Sequence, residues 1–107
     1  MEALLTAGDF EKAIQGEKVI VLFSADWCPD CRVIEPVLPG IEEKYRDFTF
    51  YHADRDELLE KCQEYDVYGI PSFIGFHRGK EVHRFVDKKR KTEEQIIEFI
   101  KDTIEKL

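Results

Sequence analysis

Two cysteines, Cys28 and Cys31, stand two residues apart in the stretch Trp27-Cys28-Pro29-Asp30-Cys31. A dithiol with that spacing can move two electrons. One thiolate attacks a disulfide, and the second thiol attacks the mixed disulfide that results. The apolar run Val19-Ile20-Val21-Leu22-Phe23 precedes the pair and a segment of helical periodicity follows it. The thiols therefore fall at the end of a strand and in the first turn of a helix, where unsatisfied N–H groups and the positive dipole end favour a thiolate. Cys28 is expected at the N-cap, and Pro29 in the first turn, where a missing N–H costs nothing. Cys31, one turn on, is expected to be more buried and the weaker nucleophile. The competing uses of such a pair are structural thiols or half a metal site. Zinc would need two further ligands, and Cys62, His52, His77 and His83 offer no second CxxC or HxxxH spacing, so no metal is expected.

Asp30 is unusual in that position. A carboxylate in the first helical turn is favoured by the dipole, which is a sufficient structural reason for it. Its charge also opposes thiolate formation at Cys28, with the adjacent Arg32 available to offset part of the effect. Cys62 shares an inner helical stripe with Leu58 and Leu59 and reads as a small buried thiol, a regulatory or intermolecular disulfide being the alternative. The run Asp87-Lys88-Lys89-Arg90-Lys91 reads as a solvated connector, in which Lys88 or Arg90 could draw an acidic partner. Asp26 reads as an exposed acid and His52 as a strand residue with a satisfied ring. Proton transfer to or from Cys31 is the rival role for both.

The chain that must position these groups has 107 residues, enough for one domain spanning 1–107. Its 16 Lys and Arg against 23 Asp and Glu leave a net charge of −7, which argues against nucleic acid as a ligand. No apolar run is long enough to cross a bilayer, and Met1–Leu5 lacks the basic and long apolar regions of a secretory signal. A cytoplasmic protein without membrane contact is the expectation. Three cysteines are too few for a disulfide-stapled framework.

Met1–Leu5 is expected as a short edge strand and Asp9–Ile14 as a helix burying Phe10, Ala13 and Ile14. Lys18–Ser24 has the near-continuous apolar character of a strand covered on both faces. A helix runs from Pro29 to about Tyr45 on Val33, Ile34, Val37, Leu38 and Ile41, kinked at Pro36 and weakened at Pro39-Gly40. Phe48–Ala53 follows as a strand and Asp54–Tyr65 as a helix, then Ile70-Pro71 leads into the strand Ser72–His77. Arg78-Gly79 signals a hairpin into Glu81–Val86. Thr92 and Gln95 form a capping box before a last helix whose buried stripe is Ile96, Ile97, Phe99, Ile100, Ile104 and Leu107. Phe23, Phe48, Phe50, Phe73, Phe76 and Phe85 are assigned to the core. The order (β)αβαβαββα describes an α/β three-layer domain with parallel central strands and an antiparallel last hairpin.

That order, with WCxxC after the buried strand and Ile-Pro before the hairpin, resembles the thioredoxin family over nearly the whole chain. The WCPDC sequence is most similar to small thioredoxin-like relatives, not to members with WCGPC. The resemblance implies a thioredoxin fold with a central mixed sheet flanked by helices, and thiol–disulfide oxidoreductase activity. Cys28 would attack and Cys31 would resolve. Trp27, Pro29, Asp30, Ile70 and Pro71 would line the substrate side, and Pro36 would kink the helix. Pro71 would follow a cis bond, letting Ile70 offer its backbone to an extended substrate segment. No cofactor is implied. Disulfide-containing proteins would be substrates, and a thioredoxin reductase or a low-molecular-weight thiol would be the electron donor. Four positions depart from the pattern: Leu22 replaces a buried carboxylate, His52 its partner lysine, Ser24 a second tryptophan, and Asp87 a loop glycine. They leave two alternatives open: a reductase of narrow range (peroxiredoxin, persulfide or nitrosothiol), and a binding module whose dithiol is redox-silent.

Overall fold

The computed structural model describes residues 1–107. The chain alternates β1 (Glu2–Leu4), α1 (Ala7–Ala13), β2 (Val19–Ser24), α2 (Pro29–Ile34), a 3₁₀ turn (Glu35–Val37), α3 (Leu38–Lys44) and β3 (Thr49–Asp54). It continues with α4 (Leu59–Glu64), β4 (Ser72–His77), β5 (Lys80–Phe85) and α5 (Glu93–Lys106). One mixed sheet holds the strands in the order β1-β3-β2-β4-β5. The parallel pairs are β1 with β3 and β2 with β3, while β2–β4 and β4–β5 are antiparallel. Parallel pairing thus ends at β2, one strand earlier than the sequence reading of a parallel centre.

Every residue of β2 is buried, because the sheet is covered on both faces. Val19, Val21 and Phe23 point into one cluster with Phe10 and Ile14 of the α1 region, Cys62 of α4, and Ile74 and Phe76 of β4. Ile20 and Leu22 point to the other side, among Ile34 of α2, Leu38 and Ile41 of α3, and Ile96, Phe99 and Ile100 of α5. The period-two alternation of a strand thus feeds two apolar layers from one sequence run. Phe10 is wholly buried, with its ring 5.5 Å from that of Tyr65 and 6.0 Å from those of Phe23 and Phe76.

The expected kink at Pro36 is a full break. Proline cannot donate to the preceding turn, so the chain passes through the 3₁₀ turn and restarts as α3, where Pro39 lies in the first turn and does not weaken the helix. The helix expected from Asp54 begins only at Leu59. Asp54 Oδ1 instead accepts the amides of Asp56 and Glu57 in a local turn, at 2.8 and 3.2 Å. Three of the expected buried stripes are narrower in the structure: Val33, Leu59 and Ile104 with Leu107 are exposed at 49, 47, 44 and 44%. Phe85 is only partly buried. Arg78 and Gly79 both have positive φ, as their two-residue hairpin turn requires. Both halves of the capping box at Thr92 and Gln95 are formed. No helix is long and apolar enough to cross a membrane.

Candidate active site

The chain leaves β2 through Ala25, Asp26 and Trp27 and enters α2 with Cys28 as its N-cap. Ser, Thr, Asp or Asn usually supplies an oxygen there. Here Cys28 Sγ accepts the amide of Cys31 at 3.2 Å, so an N–H left free by the helix start points at sulfur. Pro29 takes the first helical position and gives up no hydrogen bond. Cys28 and Cys31 are joined as a disulfide, with their Cα atoms 5.3 Å apart. Both are 4% exposed, so the expected difference in burial is absent. What distinguishes the two is position, Cys28 lying at the helix start and Cys31 one turn on, bordering a partly open pocket.

Residues remote in sequence frame the pair. Ile70 packs on the small cluster Ala25, Cys28 and Cys31, and the Ile70–Pro71 bond is cis. Trp27 is 58% exposed, yet its indole Nε1 donates to Asp56 Oδ2 at 2.7 Å, and the Arg55 guanidinium lies 5.6 Å from the ring centre. Neither Asp56 nor Arg55 had a signal in the sequence, since nothing in local spacing links residue 27 to residues 55 and 56.

Asp30 is paired by Arg90, whose Nε donates to Oδ1 at 3.0 Å, and not by Arg32, whose Nε donates to the Asp26 carbonyl at 2.9 Å. Arg90 is thereby paired within the chain while its side chain stays 63% exposed. The pair is part-exposed and contributes little to stability. Its consequence is electrostatic: a carboxylate beside Cys28 opposes the thiolate, and Arg90 offsets part of that charge. Asp30→Asn is therefore expected to raise the fraction of Cys28 present as thiolate near neutral pH, and Arg90→Ala to lower it. Thiolate absorbance against pH checks both, and unchanged titrations would remove Asp30 from the electrostatics of the site.

The connector after β5 is not simply solvated. Lys91 is 1% exposed; its Nζ donates to Asp87 Oδ1 and to the Lys89 carbonyl, both at 2.9 Å, and lies 4.9 Å from the centre of the Phe85 ring. Burial pushes the Asp87 carboxyl up, but hydrogen bonds from Lys91 and the Lys89 amide, with their charges, outweigh it and hold the group below its ordinary value. Tyr68 Oη donates to the Val86 carbonyl at 3.0 Å. Ser72 Oγ donates to the Gly69 carbonyl at 2.6 Å and to that of Asp87 at 3.4 Å. A Cβ on Gly69 would come within 2.4 Å of the Asp87 carbonyl oxygen, so only glycine lets these segments close. The connector thus clamps the segment that carries Ile70 and Pro71.

Beside Cys31 lies a pocket of about 200 Å³, partly open to solvent and lined by Leu22, Ser24, Cys31, Glu35, Leu38 and His52 together with Met1. Ser24 Oγ and His52 Nε2 are 2.5 Å apart. The satisfied ring expected for His52 is therefore found, though at the cavity that Cys31 shares. Asp26 is exposed, as expected. Cys62 is free and buried, and that burial, ahead of nearby charges, raises its thiol above the ordinary value. No cluster of His, Cys, Asp and Glu is arranged as a metal site.

The sequence matches the Thioredoxin family over residues 2–102. It is 37% identical over 82 residues to Thioredoxin H2 of Arabidopsis thaliana, a match covering 76% of this chain and 62% of that protein. To Thioredoxin-1 of Saccharomyces cerevisiae it is 38% identical over 82 residues, covering 76% of this chain and 80% of the relative. The X-ray structure of Fasciola hepatica thioredoxin superposes with a TM-score of 0.83 at 32% identity, covering 96% of this chain and 99% of the other.

Proposed function

The chain belongs to the thioredoxin family, whose members are thiol–disulfide oxidoreductases, and on that footing we propose that its one domain, residues 1–107, reduces disulfides through Cys28 and Cys31. The observation that carries this reading is the dithiol at the end of β2, with Cys28 capping α2 and accepting the Cys31 amide. A hydrogen bond from an amide to sulfur favours the charged form, which is the nucleophile. Cys28 attacks the substrate disulfide, one substrate thiolate leaves, and Cys28 carries the other half as a mixed disulfide. Cys31 then attacks Cys28 Sγ, the second substrate thiolate leaves, and the protein is oxidised by two electrons.

Trp27, Pro29, Asp30, Ile70 and Pro71 form the proposed substrate side. Ile70 packs on the cluster of Ala25, Cys28 and Cys31, and the neighbouring Tyr68, Gly69 and Ser72 are tied to the Val86–Asp87 segment and to each other. Disulfide-containing proteins are the proposed substrates, and a thioredoxin reductase or a low-molecular-weight thiol returns the electrons. The proposed setting is the cytoplasm, where a CxxC pair is more often catalytic than structural. Turbidimetric insulin reduction with dithiothreitol tests the reading. Wild type is expected to accelerate it and Cys28→Ser to fall to the rate of dithiothreitol alone; equal rates would leave a redox-silent binding module.

A further inference from the structure

The resolving thiol presents a problem that the dithiol alone does not solve. Cys31 is 4% exposed and must become a thiolate to attack Cys28, so its proton has to leave through the partly open pocket beside it. Leu22, which lines the same pocket, offers no acceptor. We propose that Ser24 and His52 form the proton relay for Cys31, working through water in the cavity they share with it. The inference rests on the oxidoreductase reading above and concerns its second step only.

Three observations support this assignment. Ser24, Cys31 and His52 line the same cavity, whose volume of about 200 Å³ accommodates several waters. Ser24 Oγ lies 2.5 Å from His52 Nε2, and Ser24 is itself 8% exposed, so the hydroxyl connects the cavity directly to the ring. His52 is partly exposed, which lets the ring exchange its proton with solvent afterwards. The diagonal placement that joins them comes from β2–β3 pairing, in which Leu22 stands opposite His52 and Ser24 one step further along the same face. The other groups that can carry charge here are Glu35 on the 3₁₀ turn and the Met1 amino group, which Glu42 of α3 pairs at 3.1 Å.

With the imidazole proton on Nδ1, Ser24 donates its hydroxyl hydrogen to Nε2 and accepts one from a cavity water. That water takes the proton of Cys31. The new thiolate attacks Cys28 Sγ, the Cys28–substrate bond breaks, and the substrate sulfur leaves with its electron pair. The imidazolium then returns one proton to the leaving thiolate or to solvent. Electrons and protons balance without a further reactant.

Ellman's reagent separates the two steps, because each releases one coloured thiolate. The experiment uses reduced full-length protein in a Cys62→Ala background, across the neutral pH range. His52→Gln and Ser24→Ala are expected to leave the first release unchanged and slow the second on the order of a hundredfold at and just above neutrality, where an imidazole can accept a proton and a buried thiol still carries one. Added imidazole is expected to restore the second release in His52→Ala, which a merely structural role would not allow. Second phases that overlay wild type at every pH would overturn the relay, as would equal slowing of both phases. A wild-type protein that gives no faster first release than Cys28→Ser would instead sink the oxidoreductase reading, and the relay with it.

Discussion

Cys31→Ser is expected to arrest the reaction halfway, leaving a covalent adduct between Cys28 and one half of the substrate. The serine hydroxyl cannot attack a disulfide under these conditions, while Cys28 keeps its place as the N-cap of α2. The adduct gains the mass of one substrate half and is released by dithiothreitol. Cys28→Ser should form none, and turnover in both variants should fall on the order of a hundredfold or more. The pair of variants also distinguishes the two sulfurs. Because Cys28 and Cys31 are equally buried in the disulfide, exposure does not say which attacks. Adduct formation in Cys28→Ser but not in Cys31→Ser would reverse the roles. Identifying what is trapped on Cys28 would distinguish a broad reductase from one of narrow range.

Asp87→Ala is expected to destabilise the protein by about 2–3 kcal/mol, while Lys91→Met changes stability by less than about 1 kcal/mol in either direction. The asymmetry follows from burial. Lys91 is 1% exposed, and without Asp87 its ammonium keeps only the Lys89 carbonyl and the Phe85 ring. Methionine has nearly the same length and carries no charge to satisfy. The Asp87 side chain is 32% exposed, so water recovers part of the lost interaction, and the figure sits below that of a fully buried pair. For a chain of this size the Asp87→Ala loss corresponds to a fall in Tm of roughly 10 °C or more. Equal destabilisation by both substitutions would mean that packing, not charge pairing, holds the connector.

The same pair fixes a pH dependence. The Asp87 carboxyl lies below its ordinary value of 3.8 in the folded protein. It therefore contributes stability above that value, and the contribution is lost as pH falls through the lowered folded value. Wild type and Asp87→Ala should differ most near neutrality and converge in acid, below about pH 4.

The element order, the doubly covered β2, the N-cap position of Cys28 and the capping box at Thr92 were all legible in the sequence. Each depends on a local rule: periodicity, a missing proline donor, or a side chain reaching its own helix end. Local rules also led to the errors. Continuous apolar spacing suggested one helix through Pro36 and a longer start to α4, and hydrogen bonds at particular backbone atoms decided otherwise. Chain ends and helix edges made Ile104, Leu107, Leu59 and Val33 look inward, because a stripe in sequence does not say where the sheet beneath it stops.

For the site, the sequence by itself determined the dithiol, the strand and helix that present it, and the class of chemistry that follows. Only the tertiary structure decided what surrounds the sulfurs. The contacts of Trp27 with Asp56, Asp30 with Arg90 and Ser24 with His52 join residues 29, 60 and 28 positions apart. No local pattern encodes such contacts. They exist because β3, and β5 beyond the antiparallel β4, run in the same direction as β2, bringing the segments that follow them to the end where Cys28 caps its helix.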